Sequence, residues 1–307
     1  MTQPAPPRRK GTVLRSVGGV YEVEVGPNDV YEASLRGRLK LEQRTGDRVV
    51  AGDHVEILEH EDGSRTIEAV TPRTSELARR SPRGGRRAKV IVANIDQVTI
   101  VFAAAHPEPR LRLLDRFLVV AEANQLPAVV LVNKIDLVDP ADAALRFAPY
   151  SAAGYPVCMV SAQTGIGLSA AKDLLCGRET VLTGPSGAGK SSLLNAIQPG
   201  LGLRIGEVSE VVHKGRHTTV AARLIPLECG GHVADTPGLR ELGLWGIDRD
   251  ELRELFPEFL PLRLDCRFGR GCTHIHEPAC AVRAAVDAGS IDRARWESYA
   301  AMMLDDG

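Results

Sequence analysis

A chain of 307 residues with 44% hydrophobic and 25% charged residues has the composition of a soluble globular protein with room for two or three packed cores. Its formal net charge of −1 excludes global charge as a source of nucleic-acid affinity, so any polyanionic partner must be held by local basic patches. No apolar run reaches the roughly 18 residues of a membrane span, and the opening MTQPAPPRRKG lacks a signal-peptide core, which predicts a cytoplasmic protein without a membrane partner.

Residues 1–10 read as a flexible, Pro-rich start. From 11 to 72 short alternating segments, TVLRSVGGVYEVEV, YEASLRGRL and DRVVAGDHVEILEHEDGSRTIEAV, are broken by Gly, Asn and Asp and predict a small all-β domain. Five or so strands in that length suit an oligonucleotide-binding (OB) barrel, and an SH3-like barrel has much the same signature. Residues 73–95 form a basic linker and the entry to the next domain. Its core, RRSPRGGRRAK from Arg79 to Lys89, carries six Arg or Lys residues and reads either as a solvated hinge or as a contact for a phosphate backbone.

From 96 to 243 the rhythm becomes strand, helix, strand. QVTIVFAAA, AVVLVNKIDL, PVCMVSA, ETVLT, AARLIPL and HVAD supply apolar strands, and LRLLDRFLVVAEANQ and SSLLNAI supply helices, so a parallel sheet covered on both faces is expected. Residues 244–307 hold a cysteine-bearing loop and two helical segments, ACAVRAAVDAG and IDRARWESYAAMMLDD, the second preceded by Ser290 as its expected N-cap.

The central domain carries three nucleotide motifs. Gly184, Pro185, Ser186, Gly187, Ala188, Gly189, Lys190 and Ser191 spell a phosphate loop, continued by Ser192, between an apolar strand and a helix. Its glycines let backbone N–H groups face phosphates, Lys190 reaches the β and γ oxygens, and the Ser191 hydroxyl is the expected Mg²⁺ ligand. Asn133, Lys134, Ile135 and Asp136 follow a second strand, with Asp136 placed to accept from the guanine N1–H and exocyclic amine, a donor pair that adenine lacks. Ser161 and Ala162 follow a third, where a backbone N–H can hold the guanine O6. Asp235, ending the strand HVAD, faces the same metal through water, and the Gly238 N–H is placed to sense the γ-phosphate. An ATPase has no use for the guanine motifs; the constellation predicts a GTPase.

The order of these motifs departs from that of ordinary GTPases, because the guanine motifs precede the phosphate loop. A parallel sheet tolerates this circular permutation, since ligand loops all lie at the carboxyl ends of strands. The sequence DTPG becomes the last nucleotide-sensing segment and runs directly into the C-terminal domain, so loss of the γ-phosphate could reorient that domain. In GRHTT, one of Thr218 and Thr219 completes the magnesium shell, a role we assign to Thr219. Leu239 stands where many GTPases place a water-orienting Gln; His217 is the candidate to fill that role, the alternative being a surface histidine.

Three of the six cysteines, Cys158, Cys176 and Cys229, stand apart in apolar stretches, and Cys266, Cys272 and Cys280 cluster with His274. The cluster suggests metal rather than disulfides, and a four-ligand shell of three thiolates and an imidazole reads as structural zinc. Spacing alone does not choose between His274 and His276.

These residues together resemble the small-ribosomal-subunit-dependent GTPase A family (RsgA, also called YjeQ): a barrel, NKID, SA, GPSGAGKSSLLN, GRHTT, DTPGLRELGLW and the Cys/His loop, over nearly the whole chain. The resemblance implies guanine binding by Asn133, Lys134 and Asp136, phosphate binding from Gly184 to Ser192, zinc on Cys266, Cys272, His274 and Cys280, and a hydrolytic role for His217. It also implies late maturation of the small ribosomal subunit, with rRNA contact and with hydrolysis stimulated by the subunit and favouring release. A checkpoint that binds rRNA with little stimulated turnover, or a permuted GTPase of the large subunit, are the competing readings. Asn195 is a candidate for helping to hold a potassium ion, as in some related GTPases, and equally an ordinary helix-surface residue. A monomer is the default expectation.

Overall fold

The structure is a computed structural model that describes residues 8–27, 29–37, 39, 48–79, 89–203, 222–235 and 247–304. Strands β1 (Arg8–Val17), β2 (Val20–Gly26), β3 (Asp29–Leu35), β4 (His54–Glu59) and β5 (Arg65–Val70) close a barrel in the order β1-β2-β3-β5-β4. Alternation places Val13, Tyr21, Val23, Ala33, Val55, Ile57 and Ile67 inside, the period-2 pattern that turns a short sequence into a filled small barrel. The parallel β3–β5 pair and the antiparallel closure of β4 on β1 give the OB-type arrangement. The first strand begins at Arg8, inside the expected flexible start.

The barrel is tied down at its rim. Gly52 sits at φ +88, and a Cβ there would lie 2.0 Å from the Ala93 carbonyl oxygen, so this close approach requires glycine. Asn94 Nδ2 donates to the Gly52 oxygen at 2.8 Å. Arg73 donates from Nε and Nη2 to the two carboxylate oxygens of Asp53, at 2.8 and 3.0 Å. Strands β6 (Glu76–Arg79) and β7 (Lys89–Ala93) pair antiparallel and bracket the basic stretch; its residues 80–88 lie outside the described residues.

The central sheet has the order β10-β9-β8-β11-β13-β12, formed by β8 (Gln97–Ala103), β9 (Ala128–Asn133), β10 (Val157–Met159), β11 (Arg178–Thr183), β12 (Arg223–Pro226) and β13 (Gly231–Asp235). All neighbours run parallel except β12 against β13. Both faces are covered. Helices α1 (Leu111–Ala123) and α2 (Pro140–Ala152) bring Leu114, Phe117, Leu118, Phe147 and Tyr150 onto Ile100, Phe102, Val130 and Val132. On the other face α3 (Leu168–Leu175) and α4 (Lys190–Ile197) bring Leu175, Leu193 and Leu194 onto Val101, Val129, Leu131 and Leu182. Truncating a fully buried leucine such as Leu131 to Ala should cost about 2–5 kcal/mol.

The C-terminal part holds α5 (Arg249–Leu252), three single 3-10 turns, α6 (Ala281–Asp287) and α7 (Arg293–Leu304). Its core, Phe256, Phe259, Val282, Tyr299 and Met302 with three cysteines, also takes in Val119 and Ala123 of α1. Ser290 does not cap α7 as expected. Its hydroxyl donates back to the Ala285 oxygen, and the Asp292 carboxylate accepts from the Arg295 N–H at 3.0 Å instead. A second correction concerns the scattered cysteines: Cys176 and Cys229 form a disulfide, joining the turn before β11 to the β12–β13 hairpin. Among the described residues no helix is long and apolar enough to cross a membrane.

Candidate functional site

Strands β8, β9, β11 and β13 end side by side, at Ala103, Asn133, Thr183 and Asp235, so the guanine motif after β9, the phosphate loop after β11 and Asp235 itself are brought to one edge of the sheet despite their order in the chain. The phosphate loop leaves β11 at Gly184, where φ is +134 and a Cβ would lie 2.0 Å from the Val101 oxygen. It closes at Gly189, where a Cβ would lie 2.4 Å from the Asn133 amide nitrogen. Both glycines are required by a neighbour's backbone or side chain. Lys190 and Ser191 open α4 and are buried, and Lys190 Nζ donates to the carbonyls of Gly184 and Pro185 at 2.8 and 2.9 Å, which keeps the ammonium within the curl of its own loop. Backbone N–H groups at the start of α4 add partial positive charge there.

The guanine motifs are joined to this loop by Asn133. Its buried side chain donates from Nδ2 to the Ala188 oxygen at 3.0 Å and accepts the Ala162 N–H at 3.1 Å. One amide therefore spans the phosphate loop and the serine-alanine turn, a bracing role that the motif spacing does not show. Lys134 adopts a left-handed backbone, φ +63, and its ammonium donates to the His106 oxygen. Ser161, wholly buried, donates its hydroxyl to Asp136 at 2.5 Å and accepts the Thr164 N–H at 3.1 Å. Asp136 itself is exposed, so one carboxylate oxygen is fixed by Ser161 while the group faces outward. Ile135 is buried beneath it.

Asp235 closes β13 opposite Leu182 and Arg223. Gly238, Leu239, His217, Thr218 and Thr219 lie outside the described residues. Asn195, at the far end of α4, uses its amide fully on Leu203, donating to its oxygen at 2.7 Å and accepting its N–H at 3.0 Å. That is a helix-to-loop staple. Sequence reasoning missed His106, Thr164 and the second role of Asn133, because each acts through a contact with a distant loop.

The Cys/His cluster is compact. Ligand atoms of Cys266, Cys272, His274 and Cys280 all lie within 4.8 Å of one another, and all four residues are buried. His274 Nδ1 is 3.4 Å from Cys280 Sγ and 3.6 Å from Cys266 Sγ, and the two sulfurs are 3.9 Å apart. Ordinary zinc bond lengths give a tetrahedron with S···S edges of about 3.8 Å and S···N edges of about 3.6 Å. These residues fit a zinc-sized cation. Burial, with the neighbouring thiols, pushes the Cys272 thiol up to about 12, and a divalent cation would supply the charge that three thiolates need. The cluster takes His274 and leaves His276 exposed. Trp296 and Tyr299 of α7 fix the loop by donating to the His274 and Thr273 oxygens. Glu277 accepts Thr273 N–H and hydroxyl, and although partial burial opposes it, these hydrogen bonds bring its carboxyl down to about 2.

Comparison with known proteins agrees with this geometry. A family model described as RsgA GTPase matches residues 70–245, and one described as RsgA N-terminal domain matches residues 10–67. The curated Small ribosomal subunit biogenesis GTPase RsgA of Gemmatimonas aurantiaca is 52% identical over 94% of each chain. The protein of the same name from Moorella thermoacetica is 45% identical over 96% of this chain and 97% of its own. Among solved structures, YjeQ from Thermotoga maritima superposes with a TM-score of 0.77 at 36% identity, covering 97% of this chain and 98% of that one. YloQ, a circularly permuted GTPase, gives 0.75 at 30%, covering 97% and 94%. With motif order, sheet, barrel and cysteine cluster all in agreement, the chain belongs to the RsgA GTPase family.

Proposed function

We propose that this GTPase acts in late maturation of the small ribosomal subunit, binding the subunit and its rRNA in the GTP state and leaving after hydrolysis that the subunit stimulates. The observation that carries the nucleotide half is the Asn133 amide, which holds the phosphate loop and the serine-alanine turn on either side of one site. The subunit half is supported by relatives named small ribosomal subunit biogenesis GTPase, which match along nearly the full chain.

In this reading Asp136, oriented by Ser161, accepts the guanine N1–H and amine, and the Ala162 N–H region holds O6. Lys134 covers the base side, braced by the His106 carbonyl. Asn133 acts chiefly by keeping the two loops in register. N–H groups of Gly184 to Ser192 and the Lys190 ammonium hold the phosphates, with Ser191, Thr219 and, through water, Asp235 serving magnesium. Magnesium, when bound, neutralises charge that builds on the β and γ oxygens. Water attacks the γ-phosphorus, the bond to the β–γ bridging oxygen breaks, and GDP and phosphate leave; His217 orients that water and takes its proton. Replacing His217 with Ala should leave GTP affinity nearly intact and lower turnover by roughly 10²-fold or more; unchanged turnover would assign the water to another group. Zinc on Cys266, Cys272, His274 and Cys280 is structural, because four protein ligands leave no open position.

Sedimentation of the full chain with separated ribosomal subunits, in a non-hydrolysable GTP analogue and in GDP, tests the whole proposal. Co-sedimentation with the small subunit in the analogue and release in GDP is the expected result. Binding to the large subunit alone would overturn it, and small-subunit binding with no rise in turnover would make the protein a checkpoint instead.

A further inference from the structure

The cysteine loop has an outer face that neither the fold nor the metal cluster uses. Between Cys266 and Cys272 the chain reads Arg267-Phe268-Gly269-Arg270-Gly271. Phe268 is 50% exposed and the nearby Leu264 is 67% exposed, although Phe256 and Phe259 of the same domain are fully buried. The Phe268 ring therefore faces solvent beside a well-filled core. Its position is fixed. Gly269 N–H donates to the Cys266 oxygen at 2.8 Å, Gly271 to Phe268 at 2.9 Å and Cys272 to Gly269 at 3.1 Å. The Arg267 N–H donates to the Ala279 oxygen, and Arg253 donates to the Arg270 oxygen at 2.7 Å. The tip is thus a tight turn held from both sides, so little ordering entropy is lost when it binds something.

Charge sets it apart as well. Other arginines of this domain are engaged: Arg253 with Asp250, Arg263 with Glu254, Arg293 with Asp287 and Arg295 with Asp115 and Glu258. Arg267 and Arg270 are exposed and form no ion pair with a described residue. The Arg267 guanidinium carbon lies 5.8 Å from the Phe268 ring centroid. A Cβ at Gly269 or Gly271 would meet nothing within 4 Å, so the backbone of the tip faces open space on either side of Arg270.

We propose that this tip, Arg267 to Arg270, binds unpaired RNA, with one base stacked on the Phe268 ring and the guanidiniums of Arg267 and Arg270, which pair with no described carboxylate, on the flanking phosphates. An aromatic face between cations is the chemistry that holds single strands without reading their sequence. A purely apolar protein partner would gain from Phe268 and Leu264 but would have to desolvate two uncompensated arginines. The choice of RNA rests on the ribosomal reading above; the geometry of the tip does not.

The test uses the full, zinc-loaded chain and a fluorescent single-stranded oligoribonucleotide of about 12 nucleotides, long enough for one site of this kind, with a duplex of the same length as control. Anisotropy titrations run from about 50 to 200 mM salt. Phe268→Ala should weaken single-strand binding roughly tenfold, with its salt dependence unchanged, and Phe268→Trp should restore it. Replacing both Arg267 and Arg270 with Gln should flatten the slope of log affinity against log salt by about 1.4, two single-strand phosphate contacts. These side chains point away from the core, and bound zinc with the far-ultraviolet circular dichroism spectrum confirms that each variant folds. Wild-type chain that ignores the oligonucleotide, variants that bind it like wild type, or equal losses for single strand and duplex would each overturn the proposal. So would variants that keep RNA affinity and lose only sedimentation with the small subunit, which would mark the tip as a protein contact. Failure of wild-type protein to sediment with small subunits instead removes the ribosomal reading, and the oligonucleotide titration still decides whether the tip is an RNA platform.

Discussion

Two charged joints fasten the flanking domains to the GTPase domain, and they are built on opposite principles. At the barrel side His232, on β13, lies between Glu179 of β11 and Glu24 of β2, each carboxylate 2.8 Å from a different ring nitrogen. At the C-terminal side Arg295, on α7, donates to Asp115 of α1 at 2.7 Å and through Nε and Nη2 to Glu258 at 2.9 and 3.1 Å. The guanidinium carbon lies 4.8 Å from the Phe256 ring centroid and 5.3 Å from that of Tyr150. Arg295 stays charged at any working pH: burial opposes its charge, but Glu258 and Asp115 outweigh burial. His232 can lose its proton near neutrality. The first joint is therefore conditional and the second permanent, although each places one cation between two carboxylates.

The permanent joint stands on the Cys/His cluster. Phe259 packs edge-on against the His274 ring and against Tyr299, which also holds the Thr273 oxygen, so the aromatic wall beside Arg295 depends on the cysteine loop. Chelating the metal should give the largest effect: the C-terminal part loses its core while barrel and sheet remain. Hydrogen exchange would read it, with protection lost across α6 and α7 and kept in β1 to β5. Loss of protection in the barrel as well would show that the two joints are not independent. Next in size is Arg295→Ala. It leaves the buried Asp115 and the half-buried Glu258 without their cation and should destabilise the domain pair by about 3–5 kcal/mol in urea. A change below about 1 kcal/mol would mean that water compensates.

What sequence could show follows the same division. The sheet and helices α1 and α4 are local patterns read by period, and all the described strands of the central domain fall where the apolar runs predicted them, but α2 and α3 carry no run that was read as a helix. The barrel was legible as strands, but its topology is a matter of which strands pair. The joints were illegible. Glu24 and His232 are separated by 208 positions, and Arg295, in the polar text RARWESYAAMM, reads as a solvated helix face until Asp115, 180 positions away, is placed against it. Cys176 and Cys229 likewise look solitary because their 53-residue separation carries no spacing signature. The Asn133 amide was recognised by motif, but its contact with Ala188 joins loops 55 positions apart and has no spacing signature. Gly238 and the switch residues His217, Thr218 and Thr219 remain readings of sequence, lying outside the described residues.

The smallest expected effect belongs to the conditional joint, and it has a sign. Burial works against a charged His232 ring, but the hydrogen bonds and charges of Glu179 and Glu24 more than offset it, so its folded-state pKa lies above the ordinary histidine value. A raised pKa in the folded state means that the proton stabilises docking. That contribution is fully present below the unfolded histidine value of about 6.5 and is lost as pH climbs through the folded value. Only the doubly protonated ring can donate to both carboxylates, so loss of its one titrating proton breaks one of the two bonds and leaves the other. The amide of His232→Gln offers one donor group and no charge and should cost on the order of 1 kcal/mol at pH 6, less at pH 9. Subtracting the variant's urea stability from that of wild type between those limits cancels the other titrating groups. A difference that shrinks as pH rises supports a protonated clasp, and one that is flat across the range would mean that the ring is neutral in the folded protein and that the barrel is held by Leu14, Ala51, the Gly52 approach and the hydrogen bonds of Ala93 and Asn94 to Ala51 and Gly52.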